Sequence, residues 1–190
     1  MGMLLSFSPF IVYALLSGRT SLVTALGAAA AIAIVLLLRE RFVRHKALKL
    51  LEIGTAVLFS GLAIYVGATH GQWSVPEVRL AVDGGLLAIV LVSMAIRQPF
   101  TLQYAREQVP PEVQDSPGFI MVNWHITMVW ALAFVLMVAA DLVMARWPQV
   151  PLAVGIVVTV GALVGAIWFT RWYPDWLQRR AIEAESLEKS

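Results

Sequence analysis

The sequence predicts an all-α fold: a polytopic membrane bundle of about six transmembrane helices, or five if the first apolar segment does not cross. Three observations lead to this prediction. Of the 190 residues, 59% are apolar and only 14% are charged, whereas soluble domains average about 25% charged residues. Several apolar runs approach or exceed the roughly 20 residues that a helix needs to cross a bilayer. The basic residues concentrate in alternate connections between those runs.

The apolar segments follow one another within a single membrane domain, residues 1–174, and a short cytoplasmic amphipathic tail follows at 175–190. The first segment, residues 3–17, would span only ~23 Å as a helix, against a hydrocarbon core of ~30 Å. Three alternatives are open: the helix starts at Met1, it crosses where the bilayer is thinned, or it is re-entrant. The other five predicted spans are residues 21–38, 50–68, 80–96, 117–146 and 152–170.

Short motifs predict how these helices begin and pack. Ser116 followed by Pro117 is typical of a helix start, because serine caps free backbone N–H groups and proline fits the first turn. Gly54 and Gly61 lie seven residues apart near one helix face. Small residues on one face let two membrane helices approach closely, so this pair predicts a packing seam.

The basic residues predict the orientation of the helices. If six helices cross and both termini are cytoplasmic, eleven of the fourteen Lys and Arg residues fall on the cytoplasmic side. Only Arg19, Arg79 and Arg146 fall outside. This distribution follows the positive-inside rule, and it predicts a multi-pass membrane protein with both termini in the cytoplasm.

The longest apolar run, residues 117–146, carries a polar stripe. Asn123 and Asp141 are 18 residues apart, a whole number of turns at 100° per residue, so they share one face. Further members of this stripe are Thr127, Trp130, Phe134 and Met137. We expect the stripe to face the bundle, whereas His125, 200° away from Asn123, points to a neighbouring helix or to the headgroups.

Asp83 and Asp141 form the most specific pair, because each lies about one turn inside the outer end of its predicted span. A carboxylate at that depth costs roughly a few kcal/mol and must face the bundle or a partner. The pair predicts a proton- or cation-binding site near the outer face, with Asn123 as a further candidate. Two alternatives remain: Asp83 caps its helix, and Asp141 pairs with a cation from among Arg146, Arg79 and His70.

The longest polar connection, residues 97–117, is rich in aromatic and polar residues. Tyr104 and Arg106, together with His125, are candidates for contacts with lipid headgroups or a protein partner. The alternative for this connection is a plain interfacial helix, in which Phe100 and Leu102 lie at the headgroup boundary.

Several classes of site are not predicted. The chain has no cysteine, which excludes disulfides, thiolate nucleophiles and cysteine-bound clusters. The three histidines lie in different segments, so neither a bis-histidine haem nor a zinc site is expected. No catalytic triad or phosphate loop is present in the sequence. We therefore expect no catalytic residue, metal or cofactor, and no nucleic-acid partner.

One stretch of this sequence resembles a known family. Residues 123–134 read N-W-H-I-T-M-V-W-A-L-A-F and lie between a polar connection and a last apolar hairpin. The order of apolar segments from residue 50 to 173, with Asn123, Trp130, Ala131 and Phe134, is similar to the bacterial intracellular septation protein A group and its small inner-membrane relatives. This resemblance implies a location in the bacterial inner (plasma) membrane and a role in the cell envelope, linked to septation or peptidoglycan synthesis, and it implies no catalytic residues.

Three functions remain as hypotheses. The first is a non-enzymatic protein that acts through contacts with membrane lipids, envelope proteins or a second copy of itself, for which Gly161 and Gly165 supply a G-x-x-x-G spacing. The second is a small transporter or channel that uses the outer carboxylate pair. The third and weakest is an enzyme acting on a lipid or quinone beside Tyr104 and Arg106.

Overall fold

The computed structural model describes residues 5–69, 73–147 and 149–188, and the fold within these ranges is all α-helical, as the sequence predicts. Eight α-helices lie in the described part of the chain. They are α1 (Ser8–Leu16), α2 (Leu22–Leu38), α3 (Leu50–Thr69), α4 (Val75–Ala95), α5 (Phe100–Ala105), α6 (Pro111–Gln114), α7 (Pro117–Arg146) and α8 (Leu152–Glu188).

Among the described residues, five helical segments are long and apolar enough to cross a membrane, as in a multi-pass membrane protein. These segments are Leu22–Val43, Leu50–Thr69, Pro76–Ala95, Pro117–Arg146 and Leu152–Arg180. Helix α1 has nine residues and rises only ~14 Å, less than half of a hydrocarbon core. A sixth crossing and the placement of both termini stay predictions.

Local capping explains where two of the long helices begin. The Ser116 hydroxyl accepts a hydrogen bond from Phe119 N at 3.4 Å, and α7 starts at Pro117, which confirms the predicted helix start. Helix α4 begins at Val75, five residues before the predicted span, because Ser74 and Glu77 form a capping box. Arg79 therefore lies on α4 rather than in a loop.

Two helices extend beyond their predicted ends. Helix α2 continues into a π-helical turn at Arg39–Val43. Helix α8 runs without a break through Pro174 to Glu188, so the predicted tail, as far as it is described, continues the last span. Residues 189 and 190 lie outside the described part.

The interior contains two apolar clusters. One surrounds α7 and includes Trp130 and Phe134. The other joins α1, α2, α3 and α4, where Ala25 and Ala29 let the helices approach closely. Phe10 of α1 packs against both clusters, so the short first helix connects the two halves of the core.

The predicted stripe of α7 is confirmed. Its six members, Asn123, Thr127, Trp130, Phe134, Met137 and Asp141, are all buried. The alternate face of α7 carries exposed apolar side chains such as Leu132 and Leu136, as expected for a surface in contact with lipid acyl chains.

Helix α5 differs from the predicted headgroup-boundary segment, because it packs into the protein against α7. Phe100, Thr101, Leu102 and Tyr104 are buried. The Thr101 hydroxyl donates to Asn123 O at 2.9 Å and lies 2.6 Å from the Thr127 hydroxyl. These polar contacts inside the protein hold α5 away from the surface.

The two glycines of the predicted α3 seam differ in their surroundings. A Cβ added to Gly54 would meet Ile89 Cγ1 and Cγ2 of α4 at 2.7 and 2.9 Å. A Cβ added to Gly61 meets no described atom within 4 Å. The seam is therefore confirmed at Gly54 and is wrong at Gly61.

We predict that Gly54→Ala destabilises the protein, by about 1–3 kcal/mol, because a β-branched Ile89 cannot move both γ carbons away from the new methyl group. Gly61→Ala is the matched control on the same helix. It should be neutral or stabilising by about 0.5–1 kcal/mol, since alanine favours helix more than glycine does. Equal unfolding midpoints of the two variants in mixed detergent micelles would contradict the assigned seam.

Candidate functional site

The strongest candidate site lies between α4 and α7 and consists of Asp83, Asp141 and Arg79; we call it the Asp83–Asp141 site. It lies toward the end of the bundle where α4 begins and α7 ends. The opposite end, where α3 and α7 begin, carries the basic segment 39–49 and is called the basic end. Asp141 is completely buried and Asp83 is 9% exposed.

Arg79 connects the site to three helices. Its Nε lies 3.2 Å from Asp141 Oδ1 of α7, and its Nη2 donates to the Thr159 hydroxyl of α8 at 2.9 Å. Arg79 and Asp83 are four residues apart on α4, so their side chains lie on the same helix face. One guanidinium group thus holds the facing surfaces of α4, α7 and α8 together.

The two carboxyl groups are direct neighbours. Asp83 and Asp141 lie within hydrogen-bonding reach of each other. Neither Asp141 oxygen accepts a hydrogen bond from an N–H or O–H donor that the structure describes. A hydrogen bond between two carboxyl groups requires a proton on one of them, so this geometry suits a shared proton. Tyr13 of α1, which is 6% exposed, lies within electrostatic range of Asp83, Arg79 and Asp141.

The structure decides between the alternatives for these residues. Asp83 lies in the interior of α4, eight residues after its first residue, so it does not cap the helix. The cation beside Asp141 is Arg79, whereas Arg146 is exposed. His70, the remaining alternative, lies outside the described residues.

Asn123 does not belong to the Asp83–Asp141 site. Its side-chain amide donates to Phe119 O of its own helix at 2.9 Å, and its backbone oxygen accepts from Thr101. It shares the buried face of α7 with Asp141, but 18 residues of helix, or ~27 Å, separate the two. Its backbone carbonyl, and not its side-chain amide, helps to hold α5 on α7.

A second polar group lies at the basic end and is called the Glu52 cluster; its members are Ser6, Glu40, Arg44, Lys49, Glu52, Tyr104 and Glu107. The Tyr104 hydroxyl donates to Ser6 Oγ at 2.8 Å and lies 3.4 Å from Glu52 Oε1. The Ser6 hydroxyl donates to the same Glu52 oxygen at 3.3 Å. The cluster therefore connects the N-terminal segment to α3 and α5.

Ion pairs link the two polar connections of the basic end. Lys46 and Lys49 Nζ lie 2.7 and 2.8 Å from the two oxygens of Glu107. Lys49 Nζ is also 3.6 Å from Glu52 Oε1 and 5.0 Å from the Tyr104 ring centre. Lys49 is only 5% exposed, so this lysine is part of the interior and not of an exposed orientation signal.

Burial and neighbouring charges shift the pKa values of two groups in the Glu52 cluster. Burial, with a further contribution from the Glu52 charge, raises the pKa of Tyr104 well above its usual 10, so the phenol keeps the proton that it donates. Partial burial alone would raise the pKa of Glu107, but hydrogen bonds and charge from Lys46 and Lys49 outweigh it and bring the pKa below 4.5.

The other predicted contact residues lie elsewhere. Tyr104 is 4% exposed, so its side chain contacts the protein interior and not the headgroup level expected of it. Arg106 pairs with Asp115 at 2.8 Å on the surface. His125 Nδ1 lies 2.8 Å from the Tyr173 hydroxyl of α8, which agrees with an orientation toward a neighbouring helix. Roles of Arg106 and His125 toward headgroups or partners stay predictions.

Sequence reasoning missed Tyr13, Ser6 and Glu40 as site residues. Tyr13 lies inside an apolar segment, where a hydroxyl group is itself a signal of a polar neighbour. Glu40 follows the predicted span 21–38, where a charged side chain is expected to be exposed, yet it is buried in the π-helical turn. In the described residues, no group of three or more His, Asp or Glu side chains is arranged to hold a metal ion.

Comparison of the chain with protein families, with curated proteins and with solved structures finds no match.

We predict that Glu107→Gln flattens the acid side of the stability profile. Because the pKa of Glu107 is lowered in the folded state, its ion pairs contribute fully above about pH 4.5 and are lost as the pH falls through the folded-state pKa. The stability difference between wild type and variant should therefore shrink on acidification. Melting temperatures in detergent between about pH 7 and pH 3 measure this, with the exposed Glu112→Gln as the control; parallel profiles for wild type and Glu107→Gln would contradict the prediction.

Proposed function

We propose that this chain is a small membrane transporter or channel that binds a small monovalent cation, a proton or Na⁺, at the Asp83–Asp141 site. One observation carries the proposal: two buried carboxyl groups lie together beside a single guanidinium group inside a membrane bundle. Ionisable side chains within membrane spans are costly and are characteristic of ion pathways and proton relays.

The charge balance indicates the class of ligand. Arg79 compensates one negative charge, and a second ionised carboxylate would leave one excess negative charge in the bundle. Such an uncompensated charge costs several kcal/mol in a low-dielectric interior. A proton on one carboxyl group or a bound monovalent cation removes the imbalance, and the buried Tyr13 lies within electrostatic range of both carboxyl groups. With both termini in the cytoplasm, the site would lie near the outer face.

We predict that Asp141→Asn lowers cation or proton flux through proteoliposomes about 10- to 100-fold, since a contact with a charged group is worth roughly 1.5–3 kcal/mol. Asp83→Asn should act in the same direction. Asp175→Asn, which makes the same chemical change at an exposed position, is the control and should leave flux unchanged. Flux is followed with an internal pH-sensitive dye and with radioactive Na⁺; wild-type vesicles without flux of either ion would sink the proposal.

A second candidate is a non-enzymatic role in the cell envelope through protein or lipid contacts, which the resemblance to septation proteins implies. The observation that favours it is the exposed surface of α8. Only 11% of the most apolar 18-residue stretch of α8 is buried within the chain. No described atom lies within 4 Å of a Cβ added to Gly161 or Gly165. Small residues open to the membrane suit contact with another helix.

This candidate predicts a complex with a further membrane chain, or with a second copy, that Gly161→Leu disrupts. Cross-linking in native membranes, followed by isolation in a mild detergent, measures it. Gly84→Leu provides the control, because Gly84 also has open space beside it but lies on α4. Isolation of the cross-linked protein as a lone monomer would count against this candidate and leave the first one intact.

A further inference from the structure

A small cavity lies inside the Glu52 cluster at the basic end. Its volume is about 20 Å³, which is room for one water molecule or one small ion. The polar residues that line it are Ser6, Glu40, Arg44, Lys49, Glu52 and Glu107.

Two carboxylate oxygens at this cavity lack a donor among the described residues. Glu40 and Glu52 are each only 8% exposed. Their Oε1 atoms have partners: Arg44 Nη1 at 3.2 Å for Glu40, and Ser6, Tyr104 and Lys49 for Glu52. The Oε2 atoms of both residues are buried without one. Leaving a buried acceptor unsatisfied is costly, and one cationic ligand between them satisfies both.

The unpartnered atoms at the cavity favour a ligand that presents positive charge, because both are carboxylate oxygens, which only accept. Among the described lining residues, three carboxylates face two cationic side chains, Arg44 and Lys49. Lys46 pairs with Glu107 but does not line the cavity. Counted with Lys46, the three carboxylates are matched by three cationic side chains, so a bound cation would contact the two unpartnered Oε2 atoms and would not balance a net charge.

An aromatic layer separates the two polar sites. Phe7 stacks on Trp130 with ring centres 5.2 Å apart, and Phe10 meets Phe59 edge-on at 5.0 Å. Phe134 completes the layer from α7. Along the chain this layer lies between Ser6, which contacts Glu52, and Tyr13, which faces Asp83 and Asp141. These two residues are seven positions apart, or ~10 Å of helix.

We propose that the cavity between Glu40 and Glu52 is a second binding site for a small monovalent cation, and that Phe7 and Phe10 close the path between it and the Asp83–Asp141 site. This inference rests on the proposed function and adds to it the second ion position and the gate. Both phenylalanines belong to the N-terminal segment, whose helix is interrupted at Phe7 before α1 begins. The gate is therefore on a short element and not on a full-length span.

The contacts of Glu52 couple the second site to the gate. The carboxylate that would bind the ion also accepts the Ser6 and Tyr104 hydroxyl groups through Oε1. A cation bound at Glu52 would attract the negative charge of this carboxylate and so weaken its hydrogen bonds with Ser6 and Tyr104. Because Ser6 directly precedes Phe7, this change reaches the gate. Binding at the basic end thus favours displacement of the segment that carries the aromatic gate, which is the differential interaction that a ligand-driven change requires.

The test opens the gate and then removes each site. Phe10→Ala should raise the leak of protons or Na⁺ through proteoliposomes, on the order of tenfold over wild type, while Phe42→Ala, at an exposed position, should not. Adding Glu52→Gln or Asp141→Asn to Phe10→Ala should return the leak to the wild-type level, whereas adding the exposed Glu112→Gln should leave it high. The internal pH dye and radioactive Na⁺ distinguish the two cations.

Phe10→Leu, which retains most of the side-chain volume, provides a second variant if Phe10→Ala does not fold, with a smaller leak expected. A folded Phe10 variant without a leak, or a leak that Glu52→Gln does not reduce, overturns the inference. The proposed function is judged separately, by Asp141→Asn in the wild-type background. If Asp141→Asn loses flux but Glu52→Gln does not reduce the leak of the Phe10 variant, only the second site and the gate are refuted. If Asp141→Asn keeps its flux, the proposed function is refuted.

Discussion

The ion pair between Arg79 and Asp141 is the interaction on which the arrangement of the long helices depends. A completely buried carboxylate without a cation costs several kcal/mol in the interior of a membrane bundle, so α4 must place its arginine opposite Asp141. The same guanidinium donates to Thr159 of α8, and Gly155 leaves space beside it where a Cβ would contact Met144. The register of α4, α7 and α8 is therefore set by one charge and its partners.

The N-terminal segment connects the two polar sites. Its helix α1 rises only ~14 Å, yet the side chains of this segment extend from Ser6 at the Glu52 cluster, through Phe10 between the two apolar clusters, to Tyr13 near Asp83 and Asp141. Because proline at the start of α1 and the interruption at Phe7 break the helix there, this segment can contact both polar sites without a continuous 30 Å helix.

Periodicity was enough to predict the buried face of α7 from the sequence, because a stripe at 100° per residue depends only on local helix geometry. The juxtaposition of Asp83 and Asp141 followed from their matched depths. The predicted span begins at residue 80 and so excludes Arg79, although Ser74 and Glu77 are spaced as a capping box and indicate an earlier helix start. The burial of Tyr104 depends on its contacts with Glu52 and Ser6, which lie 52 and 98 residues away along the chain, and no local pattern contains them.

The distance between the two polar sites bears on how an ion would cross such a small protein. Ser6 and Tyr13 are ~10 Å apart along a helix, whereas the hydrocarbon core measures ~30 Å. An ion path would have carboxyl groups at both ends, at the Glu52 cluster and at the Asp83–Asp141 site. Its apolar part would then consist only of the aromatic layer of Phe7, Phe10, Phe59, Trp130 and Phe134. The cost of moving a charge falls with the thickness of the low-dielectric barrier around it. A bundle of five long helices with the short helix α1 packed inside it can therefore hold the barrier in a single layer of side chains, and a displacement of α1 is sufficient to change it.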